Sequence, residues 1–215
     1  MHVVWDWNGT LFDDLQLVVE AVNVGLSSFG RGPIDLDDYR DHYTRPVQRF
    51  YEGVLGRSLM TGEWQRLDAL FHDAYRDLLT QAHLTADAEH ALDLVAAGGH
   101  SQSLLSMFPH AELVPLVEKL GISPYFDRVD GLLGPPGEPK AAYLESHLIG
   151  LMDGEPPSGV LVIGDTPDDA LAAAHVGARC VLYDSGAHHR SDLDALGIPL
   201  AGTLVEAVTL GLGAL

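Results

Sequence analysis

Residues 1–14 read MHVVWDWNGTLFDD, and the interpretation of the whole chain depends on this stretch. A short apolar run, typical of a buried strand, ends at Asp6, and Asn8 and Gly9 follow before apolar residues resume. An Asn-Gly pair between hydrophobic runs is a strong signal for a tight hairpin turn. The alternative is that the strand end presents Asp6 for chemistry. The choice between the two depends on what the other strand ends carry.

Strand-length apolar runs recur along the chain, with helix-length segments of mixed polarity between them. The predicted strands are HVVWDW (2–7), SQSLLS (101–106), RVDGLL (128–133), GVLVIG (159–164) and RCVLYD (179–184). This alternation predicts an α/β fold, in which a Rossmann-like parallel sheet carries helices on both faces. The functional sites of such sheets lie at the carboxyl ends of the strands.

Residues 13–83 interrupt this alternation. They contain helical patterns such as EWQRLDALFHDAYRDLLTQA (63–82) and no convincing strand. We therefore predict an α/β core domain formed by residues 1–12 and 84–215, with an all-helical domain inserted into it. One use of such an insert is a lid that excludes water from a hydrolytic site, and the alternative is a fixed packing domain.

The composition is strongly acidic, with 31 Asp and Glu against 12 Lys and Arg and a formal net charge of -19. Such a surface repels nucleic-acid phosphates and anionic lipid, so neither nucleic acid nor a membrane is an expected partner. No apolar run approaches the roughly 20 residues that span a bilayer, and the first residues lack a signal-peptide pattern. The only cysteine, Cys180, excludes an internal disulfide. These features predict a cytoplasmic protein.

A second informative stretch is VLVIGDTPDDALAAA (160–174), in which an apolar strand leads into Asp165 at a helix start. Thr166 with Asp169 three residues later forms a helix-capping pattern, which explains Asp169 but not Asp165. If the strands that end at Asp6 and Asp165 are neighbours, Asp6, Asp165 and Asp169 converge. Their mutual repulsion then requires a cation, and carboxylate oxygens favour Mg²⁺ over zinc.

Two further residues are suited to hold an anion beside that cation. Ser106 ends the run SQSLLS, where its hydroxyl can donate to a phosphate oxygen, and the alternative is an ordinary loop serine. Lys140 lies in GEPKAAY (137–143), directly after a proline that starts a helix. A lysine in the first turn opposes the helix dipole, so another interaction is expected to keep it there.

Four stretches resemble, in sequence and in chain order, the four motifs of the haloacid dehalogenase-like (HAD) hydrolase superfamily. They are VVWDWNGTL (3–11), LLSMF (104–108), PPGEPKAAY (135–143) and VIGDTPDD (162–169). The first and fourth motifs are specific for the superfamily. The second and third are weak alone, and they support the resemblance because they occur in the same order along the chain. Within the superfamily the chain resembles the branch of phosphoglycolate phosphatases and β-phosphoglucomutases, and residues 13–83 resemble its helical cap. The resemblance favours a chemical role for Asp6.

The resemblance implies a Mg²⁺-dependent phosphohydrolase that acts on a small phosphorylated metabolite. Asp6 is then the nucleophile that forms an aspartyl-phosphate, and Thr10 orients it. Ser106 and Lys140 are implied to hold the phosphoryl oxygens, so that positioning and charge supply most of the rate. The implied metal ligands are Asp6, the backbone carbonyl of Asn8, Asp165 and, directly or through water, Asp169.

The chain departs from the family pattern at Asn8. Phosphatases of the superfamily usually carry a second aspartate there, which protonates the leaving oxygen and then deprotonates the attacking water. An asparagine can do neither. The departure suggests a substrate with a good leaving group, such as an acyl phosphate, a phosphoanhydride or a phosphonate-type compound, or else weak turnover. Asp13 and Asp168 are candidate substitute bases, but nothing in the sequence positions either of them.

The inserted region also carries two arginines in the stretch HYTRPVQRF (42–50). Arg45 and Arg49 are four residues apart on a predicted helix, where both could contact an anionic part of a substrate. The alternative is that both arginines lie on a solvated helix face.

Two other functions stay open at this point. A dehalogenase-type hydrolase, in which Asp6 attacks carbon, needs no Mg²⁺, so Asp165 and Asp169 argue against it. A catalytically weak phosphate- or metabolite-binding protein is suggested by Asn8, but an idle site has no evident need for a nucleophile. The sequence indicates neither the substrate nor the oligomeric state.

Overall fold

The computed structural model describes residues 1–134, 139–151 and 159–213. The chain divides into two compact units, here called the α/β unit and the helical unit. The α/β unit comprises Met1–Asp13, His83–Ser185 and Arg190–Leu215, and the helical unit comprises Asp14–Ala82 and Gly186–His189. The chain therefore passes between the two units four times.

The α/β unit is built on a six-stranded parallel sheet. The described strands are β1 (His2–Trp5), β2 (Phe12–Asp13), β3 (His83–Leu84), β4 (Ser101–Pro109), β5 (Val129–Leu132), β6 (Val160–Gly164), β7 (Arg179–Tyr183) and β8 (Leu200–Ala201). The order across the sheet is β5-β4-β1-β6-β7-β8, and every neighbouring pair is parallel. β2 and β3 form a separate antiparallel pair, in which Phe12 is opposite Leu84.

Helices alternate with these strands as the sequence predicts. The described helices are α1 (Leu15–Ser27), α2 (Leu36–His42), α3 (Val47–Leu55), α4 (Glu63–Leu78), α5 (Ala88–Ala97), α6 (His110–Lys119), α7 (Lys140–Leu151), α8 (Pro167–His175), α9 (Arg190–Asp194) and α10 (Leu204–Leu212). The first four belong to the helical unit. Within the described part of the chain, no helix is long and apolar enough to cross a membrane.

The predicted fold class and all five predicted strands are confirmed, with small differences at the strand ends. β1 ends at Trp5, so Asp6 lies in the connection after the strand, and β4 continues beyond Ser106 to Pro109. The sequence did not indicate β8, because two residues are too few to show a strand period. The Asn-Gly turn is also present, since the Thr10 N–H donates to the Trp7 carbonyl at 3.1 Å across Asn8 and Gly9.

One face of the sheet is covered by α7 and α8. Its core combines alternate residues of β1, β4 and β6 with small and branched side chains of the two helices. The buried members are Val4, Leu105, Leu144, Leu148, Val160, Val162, Ala172 and Ala173. Because His2, Val4 and Asp6 are two residues apart, the face that buries Val4 leads directly to the position of Asp6 at the carboxyl edge.

The helical unit has its own core, formed mainly between α1 and α4. Buried side chains include Val22, Leu26, Phe50, Tyr51 and Leu67. Sequence period alone predicts these two helices, because their apolar residues recur at helical spacing. The predicted helix containing both arginines is wrong, since α3 starts at Val47 and Arg45 precedes it. Pro46 explains the difference, because a proline disfavours the helical conformation of the residue before it.

Gly186–His189 lies with the helical unit, although the sequence places it between a core strand and a core helix. Arg40 Nε donates to the Gly186 carbonyl at 2.5 Å, and His189 Nε2 lies 2.8 Å from Asp41 Oδ1. The ring of His188 packs edge-on against Tyr43, with 5.6 Å between centroids. These partners are more than 140 residues apart in the chain, so no local pattern indicates them.

A buried polar network lies at the amino end of β1. His2 Nδ1 is 2.8 Å from Ser101 Oγ, and His2 Nε2 is 2.7 Å from Ser103 Oγ. His147 Nε2 reaches the same Ser103 oxygen at 2.7 Å. Burial lowers the pKa of His2 from 6.5 to about 4, helped by His147 and the N-terminal amine and opposed by Asp127.

This shift predicts that the stability of the protein falls with acid below pH 6.5. Unfolded chains bind a proton at His2 near that pH, whereas the folded protein does so only near pH 4, so the stabilisation is lost between these values. We expect the free energy of unfolding in urea to lose about 2 kcal/mol from this residue across the window. His2→Gln should show a correspondingly smaller loss than wild type, and the exposed His90→Gln should not. Equal losses of unfolding free energy in wild type and both variants would show that His2 is not the group responsible.

Candidate active site

The carboxyl edge of the sheet brings the two predicted acidic strand ends together. β1 and β6 are neighbours, with Trp5 opposite Ile163. The Asp6 N–H donates to the Ile163 carbonyl at 2.9 Å, which extends the pairing by one residue. Asp6 directly follows β1 and Asp165 directly follows β6. Their side chains therefore start from adjacent points of the same edge.

Three carboxylates converge there, as the sequence predicts. Oxygen atoms of Asp6, Asp165 and Asp169 all lie within 4.8 Å of one another, and all three residues are buried. Thr10 Oγ1 lies 3.3 Å from Asp165 Oδ1 and 3.5 Å from Asp6 Oδ2, so it joins the turn after β1 to both acids. Thr85 also stabilises this turn, because its hydroxyl donates to the Thr10 carbonyl at 2.5 Å.

Lys140 supplies the positive charge of the cluster. It is the first residue of α7 and is largely buried, and its ammonium group contacts Asp6 Oδ1 and lies 2.5 Å from Asp169 Oδ1. Burial by itself would lower the pKa of Lys140, but the charges of Asp169 and Asp6 outweigh burial and raise it. These ion pairs explain why a lysine occupies a helix start, where the dipole disfavours it.

The pKa values show that one ammonium group does not balance three buried carboxylates. Burial raises the pKa of Asp6 to about 6, with Lys140 opposing the rise and Asp169 adding to it. Burial and the charges of Asp6 and Asp169 raise the pKa of Asp165 well above its usual range. Burial acts in the same direction on Asp169, but Lys140 and the hydrogen bonds from Thr166 hold its pKa below the usual range.

Asp169 both caps a helix and belongs to the acidic cluster. Its Oδ2 accepts hydrogen bonds from the Thr166 backbone N–H at 3.0 Å and from the Thr166 hydroxyl at 2.6 Å, which caps the start of α8. Its Oδ1 faces Lys140. A helix-capping carboxylate is thus held rigidly while its second oxygen remains part of the cluster.

Two glycines allow the carboxylates to approach the backbone. Gly9 has a φ of +71°, and a Cβ atom there would lie 2.3 Å from Asp165 Oδ2. A Cβ atom at Gly164 would lie 2.2 Å from Asp169 Cγ. Both positions therefore need glycine, Gly9 for its left-handed backbone as well as for space.

Ser185 is a site residue that the sequence did not indicate. Its hydroxyl donates to Asp165 Oδ2 at 2.8 Å from the connection that follows β7. This bond and the contact with Thr10 both restrain the Asp165 carboxylate. Functional residues of such sheets follow the carboxyl ends of the strands, and Ser185 directly follows the predicted strand RCVLYD (179–184), so the sequence offered a signal for it.

The remaining predicted residues are placed as follows. Ser106 is buried on β4, which neighbours β1, and its oxygen accepts the Phe108 N–H at 2.9 Å, which leaves its own proton to donate. Asn8 lies in the turn after Asp6 and is bridged to Phe12. Arg45 is exposed in the helical unit. In the third motif, residues 135–138 lie outside the described residues.

The fold and this cluster define a class of protein, α/β proteins with a carboxylate–lysine site at the carboxyl edge of a parallel sheet. The sequence model described as haloacid dehalogenase-like hydrolase matches residues 1–177. The chain therefore belongs to the haloacid dehalogenase-like hydrolase family. This confirms the family that the four motifs predict.

Named relatives and solved structures agree with this family. Phosphoglycolate phosphatase 1 of Pseudomonas aeruginosa is 27% identical over 193 residues, which cover 87% of this chain and 70% of that protein. The phosphoglycolate phosphatase of Caulobacter vibrioides is 26% identical, with 92% and 84% covered. A haloacid dehalogenase-like hydrolase structure from Streptococcus pneumoniae superposes with a TM-score of 0.81 at 18% identity, covering 97% of each chain, and shows the shared fold.

These comparisons confirm three predictions. The chain belongs to the haloacid dehalogenase-like family, its fold is the α/β fold of that family, and it is a hydrolase. The relatives named phosphoglycolate phosphatase bear the name of the branch that the motifs predict.

Proposed function

We propose that the protein is a Mg²⁺-dependent phosphohydrolase that cleaves a small phosphorylated metabolite through an aspartyl-phosphate on Asp6. The observation that carries this proposal is the buried cluster in which Lys140 contacts Asp6 and Asp169 while Asp165 lies beside them. Relatives named phosphoglycolate phosphatase support a small anionic substrate.

The donor set fits a hard divalent cation. Asp6, Asp165, Asp169 and the backbone carbonyl of Asn8 would hold Mg²⁺, because carboxylate and carbonyl oxygens are the ligands that it prefers. The excess of buried carboxylates over ammonium groups supports this assignment, since an added cation relieves their repulsion. When bound, Mg²⁺ supplies positive charge that offsets the charges of the phosphate and of the attacking carboxylate.

The residues of the chain account for the two steps of hydrolysis. The Asp6 carboxylate, ionised above pH 6, attacks phosphorus, and the bond to the leaving oxygen breaks with its electron pair going to that oxygen. Water then attacks phosphorus of the aspartyl-phosphate, which releases phosphate and restores Asp6. Lys140 and the Ser106 hydroxyl hold the phosphoryl oxygens, and Thr10 orients Asp6.

Asn8 narrows the proposed substrate to compounds with a good leaving group. The step that expels the leaving oxygen needs a proton when that oxygen is strongly basic, and an amide supplies none. Acyl phosphates and phosphoanhydrides release weakly basic groups and need little protonation. The backbone carbonyl of Asn8 is unaffected by the side chain, so the substitution leaves the metal ligand in place.

Two further assignments complete the proposal. The helical insert at 13–83 acts as a cap, and Arg45 contacts an anionic part of the substrate. The exposure of Arg45 and the acidic character of the chain support this role, since a cation in an acid-rich protein attracts an anionic ligand. The single cysteine supports a reducing, cytoplasmic location.

The test is a substrate panel combined with thermal unfolding. Purified protein should hydrolyse acetyl phosphate with Mg²⁺ and not with EDTA, and Mg²⁺ should raise its melting temperature. Asp165→Asn should lose both effects, whereas Ser191→Ala, at an exposed position on α9, should keep both. Turnover of 2-haloacids in EDTA would replace the proposal by a dehalogenase. Metal binding without turnover of any phosphate compound would replace it by a binding protein.

A further inference from the structure

The polar network at the amino end of the sheet connects the two elements that carry the reacting charges. Ser103 Oγ lies 2.7 Å from His2 Nε2 on β1 and 2.7 Å from His147 Nε2 on α7. β1 leads at its other end to Asp6, and α7 begins with Lys140. One hydroxyl thus joins β1 to α7 at the end of the sheet opposite the point where Asp6 and Lys140 meet.

The hydrogen bonds of this network are mutually consistent. His147 Nδ1 lies 2.7 Å from Asp130 Oδ2, where a ring N–H donates to the carboxylate, and His147 Nε2 lies 2.7 Å from Ser103 Oγ. Ser103 Oγ also lies 2.7 Å from His2 Nε2, and His2 Nδ1 lies 2.8 Å from Ser101 Oγ, and each hydroxyl can both donate and accept. Every ring nitrogen has a partner of the right kind, so burying the network leaves no polar group unsatisfied.

The two nitrogens of His147 hold α7 against two different strands. Ser103 belongs to β4, and Asp130 belongs to β5 and is also bonded by Arg128. His147 follows Lys140 by seven residues, which is about two turns and about 10 Å along the same face of the helix. A ring bonded to two strands opposes both rotation and sliding of the helix.

The apolar contacts around His147 do not supply this directional restraint. Leu144 and Leu148 bury the same face of α7 against Val4 and Leu105, but apolar packing is non-directional and permits small shifts. Hydrogen bonds at 2.7 Å weaken steeply when the angle at the hydrogen changes. The side chain of His147 is completely buried, so solvent does not replace its bonds when they break.

We propose that His147 is a positioning residue, which fixes the height and rotation of α7 through Ser103 and Asp130 so that the Lys140 ammonium group reaches both Asp6 and Asp169. The expected loss of turnover rests on the proposed function, whereas the effect of His147 on the position of α7 does not. A displacement of about 1 Å in a charged catalytic group is sufficient to reduce turnover about 100-fold.

The test compares His147→Phe, which keeps a ring and removes both nitrogens, with Leu148→Ala on the same buried helix. At a temperature where both variants are folded, His147→Phe should lower kcat for acetyl phosphate by about 10- to 100-fold with KM changing less. Leu148→Ala should stay within about twofold of wild type despite its lower stability. Asp130→Asn, which keeps an acceptor for the His147 N–H, should retain more of kcat than Asp130→Ala.

A second readout does not depend on turnover. The ammonium signal of Lys140 in ¹⁵N NMR, assigned by its absence in Lys140→Met, should be visible in wild type and in Leu148→Ala because buried ion pairs slow proton exchange. It should broaden or disappear in His147→Phe. An unchanged ammonium signal in folded His147→Phe would overturn the inference, as would equal losses of kcat in His147→Phe and Leu148→Ala. A wild type that shows the signal but hydrolyses no phosphate compound would overturn only the proposed function.

Discussion

Asp6→Asn is expected to abolish hydrolysis of every phosphate substrate, lowering kcat by about 10⁴-fold or more. An amide oxygen is a poor nucleophile, so no aspartyl-phosphate forms, while the size and shape of the side chain are kept. Phosphate release from acetyl phosphate measures the rate. Transfer of label from ³²P-acetyl phosphate to the protein, trapped by rapid acid quenching, measures the intermediate directly.

The matched control for this variant is Asp192→Asn, which removes one exposed carboxylate from α9 of the same unit. It changes the net charge equally and should keep both the rate and the labelled intermediate. Asp6 lies against Lys140 and Thr10, so circular dichroism should first show that Asp6→Asn is folded. If the folded variant retained one tenth of the wild-type rate, the nucleophile would have to be another residue.

Asn8→Asp is expected to raise kcat/KM for an alkyl phosphate such as phosphoglycolate by about 100-fold, since general acid–base catalysis contributes about 10²- to 10⁴-fold. The new carboxyl group can protonate the strongly basic alkoxide that leaves. Acetyl phosphate releases acetate, which needs no such help, so its rate should change by no more than a few fold. The ratio of the two kcat/KM values measures the change in leaving-group preference.

Asn8→Ala separates this explanation from a loss of the amide. Both substitutions remove the amide group, but only aspartate adds an acid, so the gain on phosphoglycolate should be confined to Asn8→Asp. The pH profile should also acquire a falling limb as the new acid ionises. A parallel gain on both substrates, or no gain on either, would show that position 8 does not limit the release of the leaving group.

Several features of the site could be predicted from short stretches of sequence. The apolar run before Asp6 and the capping pattern of Thr166 and Asp169 reflect interactions between residues that are close in the chain. Lys140 is recognisable because a lysine at a helix start opposes the helix dipole. The cluster in the structure contains Asp6, Asp169 and Lys140. Their convergence was predictable because parallel strands of one sheet share a carboxyl edge.

Other features depend on partners that are distant in the chain and leave no periodic signal. Ser185 contacts Asp165, Arg40 holds Gly186, and His147 meets His2 at Ser103. The wrong prediction of a helix at Arg45 has a different cause. Pro46 already indicated that no helix includes Arg45, but the prediction gave more weight to the spacing of the two arginines.

The sequence by itself determined the fold class, the family and the acidic residues of the cluster, because strand period, helix caps and motif order are properties of neighbouring residues. Only the tertiary structure decided that β1 lies between β4 and β6, that Lys140 is shared by two carboxylates, and that Gly186–His189 joins the helical unit. The physical reason is that these arrangements are selected by packing and charge among residues as distant in the chain as His2 and Val160. Such interactions act only once the chain has folded.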